Sequence, residues 1–197
     1  MRRLLIATNN PGKVEEFHEL LGDCGWELVT PSELGLQLEV EENGTTYAEN
    51  ARIKAEAFSR ASGLPSLADD SGLEVDALSG QPGALHHLNG WDGVDQADRI
   101  AILLRALKDV PPEKRSGRFR AVTLVALPDG TVLQEEGACE GVVIDTARGE
   151  GGFGYDPVFF LPSLGKTMSE LTRAEKNAIS HRGIAAAKIR QRLRELV

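Results

Sequence analysis

Apolar and polar positions along this chain follow two periods, one of helices and one of strands. Leu4-Leu5-Ile6-Ala7 is an unbroken apolar run, the pattern of a strand covered on both faces of a sheet. Pro11-Gly12 interrupts it, and Val14, Phe17, Leu20 and Leu21 then recur at helical spacing until the stretch 23–25. Glu27-Leu28-Val29 returns to a strand, so the chain opens as strand, helix and strand, an α/β beginning. Thr46 with Glu49 predicts a capping box at the head of an alanine-rich helix that runs to about Ser62 and stops at Gly63. Residues 64–68 read as a short strand running into Asp69-Asp70-Ser71-Gly72. Asp95 is expected to cap a helix with Ile100, Leu103, Leu104 and Leu107 on one face, closed by Pro111-Pro112. From 118 onward the period shortens to that of an antiparallel meander: 118–127, a Pro128-Asp129-Gly130 turn, 131–136 and 139–144. Thr172 with Glu175 predicts a second capping box, and Ser180 a cap for a last helix striped by Ala185, Ile189, Leu193 and Leu196. The expected fold is α/β, a mixed central sheet flanked by helices. It forms a single domain over 1–197 with the meander, about 116–145, as a second lobe.

Composition narrows the partners. The chain has 197 residues, 41% of them hydrophobic, and a chain of this length buries about 70% of its unfolded surface. Thirty acidic against 22 basic residues leave a net charge of −8, which argues against nucleic acid and against anionic membranes as partners. A small phosphate ligand is not excluded, because it senses only local donors. Cys24 and Cys139 cannot build a disulfide framework, and the four histidines lack zinc-finger spacing. With no apolar run near the ~20 residues of a membrane span and no signal-peptide core, the chain is expected in the cytoplasm.

Four segments carry candidate chemistry. Thr8-Asn9-Asn10-Pro11-Gly12-Lys13 joins the first strand to the first helix, where backbone N–H groups and a lysine attract anions; its other reading is a capping turn with a solvated lysine. It is not a Walker A loop, since Ala7 and Val14 stand where Gly and Ser or Thr are required. Asp69-Asp70, with Glu41-Glu42 upstream, offers oxygen ligands for a hard cation; taken alone, Asp-Asp-Ser-Gly reads as a turn. Gly149-Glu150-Gly151-Gly152-Phe153-Gly154 matches the dinucleotide pattern, but Pro157 follows where a long helix must open. The loop reads instead as a flexible wall whose Phe153 and Tyr155 stack on a base or fill the core. Ser180-His181-Arg182-Gly183, with Lys176 one turn earlier, is either a solvated basic patch or a set of donors for phosphate oxygens and base carbonyls. His181 has no evident partner for a metal, and His86-His87 reads as a surface loop.

In this order, Thr8-x-Asn10-x-x-Lys13, Ala68-Asp69-Asp70-Ser71-Gly72-Leu73, Gly152-Phe153-Gly154-Tyr155-Asp156-Pro157 and Ser180-His181-Arg182-Gly183 resemble the inosine/xanthosine triphosphate pyrophosphatases across nearly the whole chain. The resemblance implies hydrolysis of non-standard purine nucleoside triphosphates to monophosphate and pyrophosphate. It also implies an elongated α/β fold, two lobes around a substrate cleft, and a homodimer. Thr8, Asn9, Asn10 and Lys13 would hold the triphosphate. Glu42 and Asp70 would bind Mg²⁺, with Asp69 beside them, Asp70 as general base and Lys54 near the phosphates. Ser71, Phe153, Gly154, Tyr155, Asp156, Lys176, His181 and Arg182 would surround the nucleoside. After Pro82-Gly83 the chain departs from that pattern: the stretch 84–90 lacks the expected basic side chain, so no role is assigned there. The alternatives are a related pyrophosphatase for other modified nucleotides, or a nucleotide-binding sensor without turnover.

Overall fold

The structure, a computed structural model, describes residues 2–85, 91 and 95–196. In chain order its elements are β1 (Arg2–Ile6), α1 (Pro11–Leu21), β2 (Trp26–Val29), α2 (Tyr47–Ser62), β3 (Ser66–Val75), β4 (Gln81–Pro82), α3 (Gln96–Ala106), β5 (Ser116–Ala126), β6 (Val132–Val143), β7 (Phe159–Leu161), β8 (Lys166–Thr167), α4 (Arg173–Ile179) and α5 (His181–Glu195). The strands follow the order β2-β1-β3-β5-β6-β7-β8, with β4 paired to β3. The mixed α/β architecture agrees with the sequence expectation. Among the described residues no helix is long and apolar enough to cross a membrane.

The chain divides into two compact units. The first comprises residues up to Asp70, Ala121–Gly137 and the chain from His181 onward; the second comprises Ser71–Arg120 and Ala138–Ser180. In the first unit β1 pairs in parallel with both β2 and β3. That central place explains why Leu4, Leu5 and Ile6 are fully buried and why the run is apolar at every position. Phe17 and Leu21 of α1 close over Leu4, Ile6 and Leu67 together with Ala186, Ile189 and Leu193 of α5. Trp26 ties β2 to the end of α5, its indole Nε1–H donating to the Leu193 carbonyl at 3.1 Å. Thr46 caps α2 by accepting the Glu49 N–H, and Gly63 ends it in the left-handed region at φ 69°, as the sequence predicts; the Glu49 carboxylate, expected to close a box on Thr46, accepts the Thr45 N–H at 2.7 Å.

In the second unit β6, β7 and β8 pair antiparallel, and β4 pairs antiparallel with β3. Its core joins Leu73, Val75, Leu103, Leu107, Phe119 and Phe159. Asp95 caps α3 by accepting the Asp98 N–H at 3.0 Å, and Thr172 with Glu175 forms a complete capping box on α4.

Two expectations are corrected. The Asp-Asp-Ser-Gly segment is not a turn: all four residues lie inside β3. The meander has two strands, not three, because β6 runs unbroken through Gly137-Ala138. Gly137 does not interrupt the strand; it makes room for α5. A Cβ there would fall 2.1 Å from the His181 carbonyl oxygen and 2.8 Å from the Ala185 nitrogen. The β5–β6 hairpin contributes residues to both units.

Gly137→Ala is expected to destabilise the protein by about 1–3 kcal/mol, because both clashing atoms belong to backbone that cannot rotate away. Urea unfolding followed by circular dichroism reads the loss; an unchanged midpoint would show that α5 can retreat from β6.

Candidate active site

The β1–α1 turn is built by its own side chains. Thr8 Oγ1 accepts the Asn10 N–H at 3.2 Å, and Asn10 Oδ1 accepts the N–H groups of Gly12 and Lys13 at 3.0 and 3.3 Å. Pro11 has no N–H, so Asn10 occupies the backbone donors that the sequence reading assigned to an anion. What this turn offers a ligand is side chains. Asn9 is exposed and borders an open groove of about 600 Å³ that also takes in Gln37 and Glu39.

Lys13 turns back onto β3. Its ammonium lies 2.8 Å from Asp69 Oδ2 and donates to the Asp69 carbonyl at 3.2 Å. Arg182, at the start of α5, reaches the same Asp69 Oδ2 at 3.0 Å and Glu16 Oε2 at 2.6 Å. Lys54 of α2 donates to the Asp69 carbonyl as well, at 3.0 Å. Ammonium groups from α1 and α2 thus meet at a single backbone oxygen. Lys54 also pairs with Glu42 at 2.6 Å and with Asp70 at 3.8 Å. Four carboxylates and three cations are gathered in the first unit around two adjacent residues of one strand.

Successive strand residues face opposite ways, so the two aspartates enter different surroundings. Burial pushes Asp69 toward the neutral form, but the Arg182 and Lys13 charges and their hydrogen bonds hold it well below the usual carboxylate range. Burial raises the Asp70 carboxyl, Lys54 and Lys13 oppose that rise, and the Glu42 and Asp69 charges add to it. Burial also lowers Lys13, against the pull of Asp69 and with the Arg182 and Lys54 charges acting in the same sense. Adjacent carboxyl groups pushed in opposite directions suit division of labour: one permanently charged anchor and one group basic enough to take a proton.

The second unit holds its own cluster. Asp156 Oδ2 accepts the Phe153 N–H at 3.0 Å and a hydrogen bond from Lys176 Nζ at 2.8 Å. The Lys176 ammonium stands 4.9 Å from the Phe153 ring centroid, a cation–π contact. The expected flexible wall is a pinned loop: Gly149, Gly152 and Gly154 all have positive φ, and a Cβ on Gly152 would lie 2.1 Å from Asp156 Oδ2. The aromatic pair divides, Tyr155 packing on the core of this unit while Phe153 faces Lys176. Ser71 follows Asp70 in β3 and is half-buried. Lys176, His181 and Arg182 are all buried, which removes the reading as a solvated basic patch. Ala84 and Leu85 lie in a turn, whereas His86-His87 falls outside the described residues.

Two members of the site escaped the sequence reading. Glu16 sits one residue before Phe17 on the buried face of α1, and a carboxylate in that stripe was the available sign of a buried cation partner. Asn50, on the buried face of α2, accepts the Gly44 N–H at 2.9 Å.

Asp69→Asn is expected to cost about 3–5 kcal/mol at pH 7, since it leaves Arg182 and Lys13 buried with less compensation. Asp69 has a lowered folded pKa, so its stabilisation is full above the ordinary value near 3.8 and is lost as pH falls through the folded value. Wild type and variant should therefore differ by a constant amount from pH 7 to about 5 and converge in stronger acid. Urea unfolding at each pH measures the gap; a gap that widens toward acid would contradict the assignment.

The chain is similar to known proteins along nearly its whole length. The chain is 46% identical to the dITP/XTP pyrophosphatase of Desulforamulus reducens over 194 residues, 98% of this chain and 96% of that relative. It is 47% identical to that of Geobacillus kaustophilus, over 100% of this chain and 97% of the relative. Among solved structures, a HAM1 protein from Coxiella burnetii matches with a TM-score of 0.88 at 38% identity, covering 99% of this chain and all of the other. The Staphylococcus aureus Ham1 protein matches with a TM-score of 0.86 at 36% identity, over the full length of both. The Ham1 family model matches residues 4–192, so with these full-length relatives the chain belongs to the Ham1 family.

Proposed function

We propose that this protein hydrolyses non-standard purine nucleoside triphosphates, ITP, dITP and XTP, to the monophosphate and pyrophosphate. Full-length relatives named dITP/XTP pyrophosphatase support the reaction class. The observation that carries it to these residues is the meeting of Lys13 and Lys54 at the Asp69 carbonyl, beside the Glu42 and Asp70 carboxylates. Ammonium groups suit a polyphosphate, and paired carboxylates suit a cation that accompanies it.

The donor set fits Mg²⁺. Glu42 and Asp70 supply only oxygen, the ligand type Mg²⁺ prefers, and already converge on one cation in the Lys54 ammonium. When bound, the ion would supply positive charge against the phosphoryl oxygens. Among the described residues no larger group of His, Cys, Asp and Glu offers a competing metal site.

In the reaction Asp70, raised by burial, takes a proton from the water that attacks the α-phosphorus. The new P–O bond forms as the α–β bridging bond breaks, and its electron pair leaves with pyrophosphate. Lys13 and Lys54 offset that growing charge, with Thr8, Asn9 and Asn10 holding phosphate oxygens at the β1–α1 turn. Asp69 acts as a positioning residue that holds Lys13 and Arg182 in place. For the base we assign Ser71, Phe153, Gly154, Tyr155, Asp156, Lys176, His181 and Arg182. Donors such as the Lys176 ammonium suit a 6-keto group, whereas the 6-amino group of adenine would leave buried donors unpaired. The proposal includes a homodimer, which light scattering on the purified protein tests, and a cytoplasmic location, which cell fractionation tests.

Purified protein is expected to release pyrophosphate from ITP, dITP and XTP faster than from ATP or GTP, and to stop when EDTA removes divalent ions. Orthophosphate as the first product would overturn the choice of bond. Asp70→Asn is expected to lower kcat about 10²–10⁴-fold while nucleotide still binds. Unchanged turnover would remove Asp70 as the base, and a wild type that binds without turnover would make the protein a sensor.

A further inference from the structure

Glu42 is a metal ligand in the reading above, yet it sits on chain without regular secondary structure: nothing from residue 36 to 44 is helix or strand. A carboxylate on such a segment is placed only as well as its anchors place it. Two anchors come from the same face of α2. Lys54 holds the Glu42 side chain at 2.6 Å. One turn earlier, Asn50 holds the backbone two residues beyond Glu42, its Oδ1 accepting the Gly44 N–H at 2.9 Å.

This contact has the marks of a built clamp. Asn50 is 1% exposed. Gly44 is buried as well, and a Cβ on it would lie 2.7 Å from Asn50 Oδ1 and 2.7 Å from the Glu49 Cβ, so only bare backbone fits against the amide. The turn is tied down again at the next residue, where Glu49 Oε2 accepts the Thr45 N–H at 2.7 Å and its hydroxyl at 2.8 Å. α2 thereby holds residues 44–46 as a rigid base from which Glu42 projects.

We infer that Asn50 is a positioning residue for Glu42: its hydrogen bond to Gly44 sets where the Glu42 carboxylate stands relative to Lys54 and Asp70. A Leu at 50 has similar bulk and no acceptor, so the Gly44 N–H would lose its partner and the segment bearing Glu42 would drift. The inference rests on Glu42 and Asp70 holding a divalent ion.

The test measures Mn²⁺ binding by electron paramagnetic resonance without nucleotide, in wild type, Asn50→Leu, Gly44→Ala and the double variant, each with its thermal midpoint. Asn50→Leu and Gly44→Ala should each weaken Mn²⁺ about tenfold, the loss usual when the support of a metal ligand is removed. The double variant should bind no worse than the weaker single, because both break one contact. Asn50→Asp, which keeps the acceptor, should stay close to wild type. In pyrophosphate release the half-saturating Mg²⁺ should rise while kcat at saturating Mg²⁺ is retained. Folded variants that bind Mn²⁺ like wild type would overturn the inference, as would a loss of kcat with unchanged metal affinity. A wild type that binds no Mn²⁺ would instead overturn the metal reading beneath it.

Discussion

The Asp69 carboxylate lies almost entirely out of water, and taking an ion from water into the interior costs several kcal/mol unless opposite charge meets it. Lys13 and Arg182 meet it, and Glu16 in turn balances Arg182. These four residues come from α1, β3 and α5, elements that lie at the two ends and the middle of the chain. The charge requirement therefore acts as a lock on the first unit: α1 and α5 cannot shift along β3 without stranding a buried ion. The apolar contacts among Phe17, Leu21, Ile189 and Leu193 supply cohesion there, but they are non-directional and would tolerate sliding. The ion pairs fix the register.

The same lock leaves Asp70 different from its neighbour. Asp69 takes two of the nearby cations at close range, whereas Asp70 has the Lys54 ammonium at 3.8 Å, itself shared with Glu42, and the Lys13 charge beyond it. A carboxyl group held this way binds a proton more readily than a solvated one does, which suits a general base. The alternation of a strand thus gives two adjacent carboxylates different surroundings.

Elsewhere loops of each unit are held by side chains that replace secondary structure. Asn10 accepts N–H groups in the β1–α1 turn, Asn50 accepts that of Gly44, and Asp156 accepts that of Phe153 beside Gly152. Each is a short polar acceptor near a glycine, and at Gly44 and Gly152 a Cβ would collide with that acceptor. At Gly44, where the N–H is buried, leaving that hydrogen bond unmade would be costly. In the second unit the Lys176–Asp156 pair has the further effect of keeping an ammonium over the Phe153 ring.

Local signals were legible in the sequence wherever a residue's own neighbours decide its conformation. The caps at Thr46, Asp95 and Thr172, the stop at Gly63 and the stripes of α1, α3 and α5 all lie where helical period and capping chemistry place them. Four ordered motifs sufficed to name the family. What local pattern could not resolve was the meaning of polar and glycine residues whose partners are distant. Asp69-Asp70 has good turn chemistry, yet it is strand because α1, α2 and α5 bring three cations to it. Gly137 looks like a strand end, yet it continues β6 because the first turn of α5 needs the space. Arg182 looks solvated by composition, yet it is buried because Glu16, 166 positions away, compensates it. The sequence by itself determined the helices, the apolar strands and the kinship. Tertiary structure alone decided which charges are buried together, because burial makes a charge depend on partners that no local window contains.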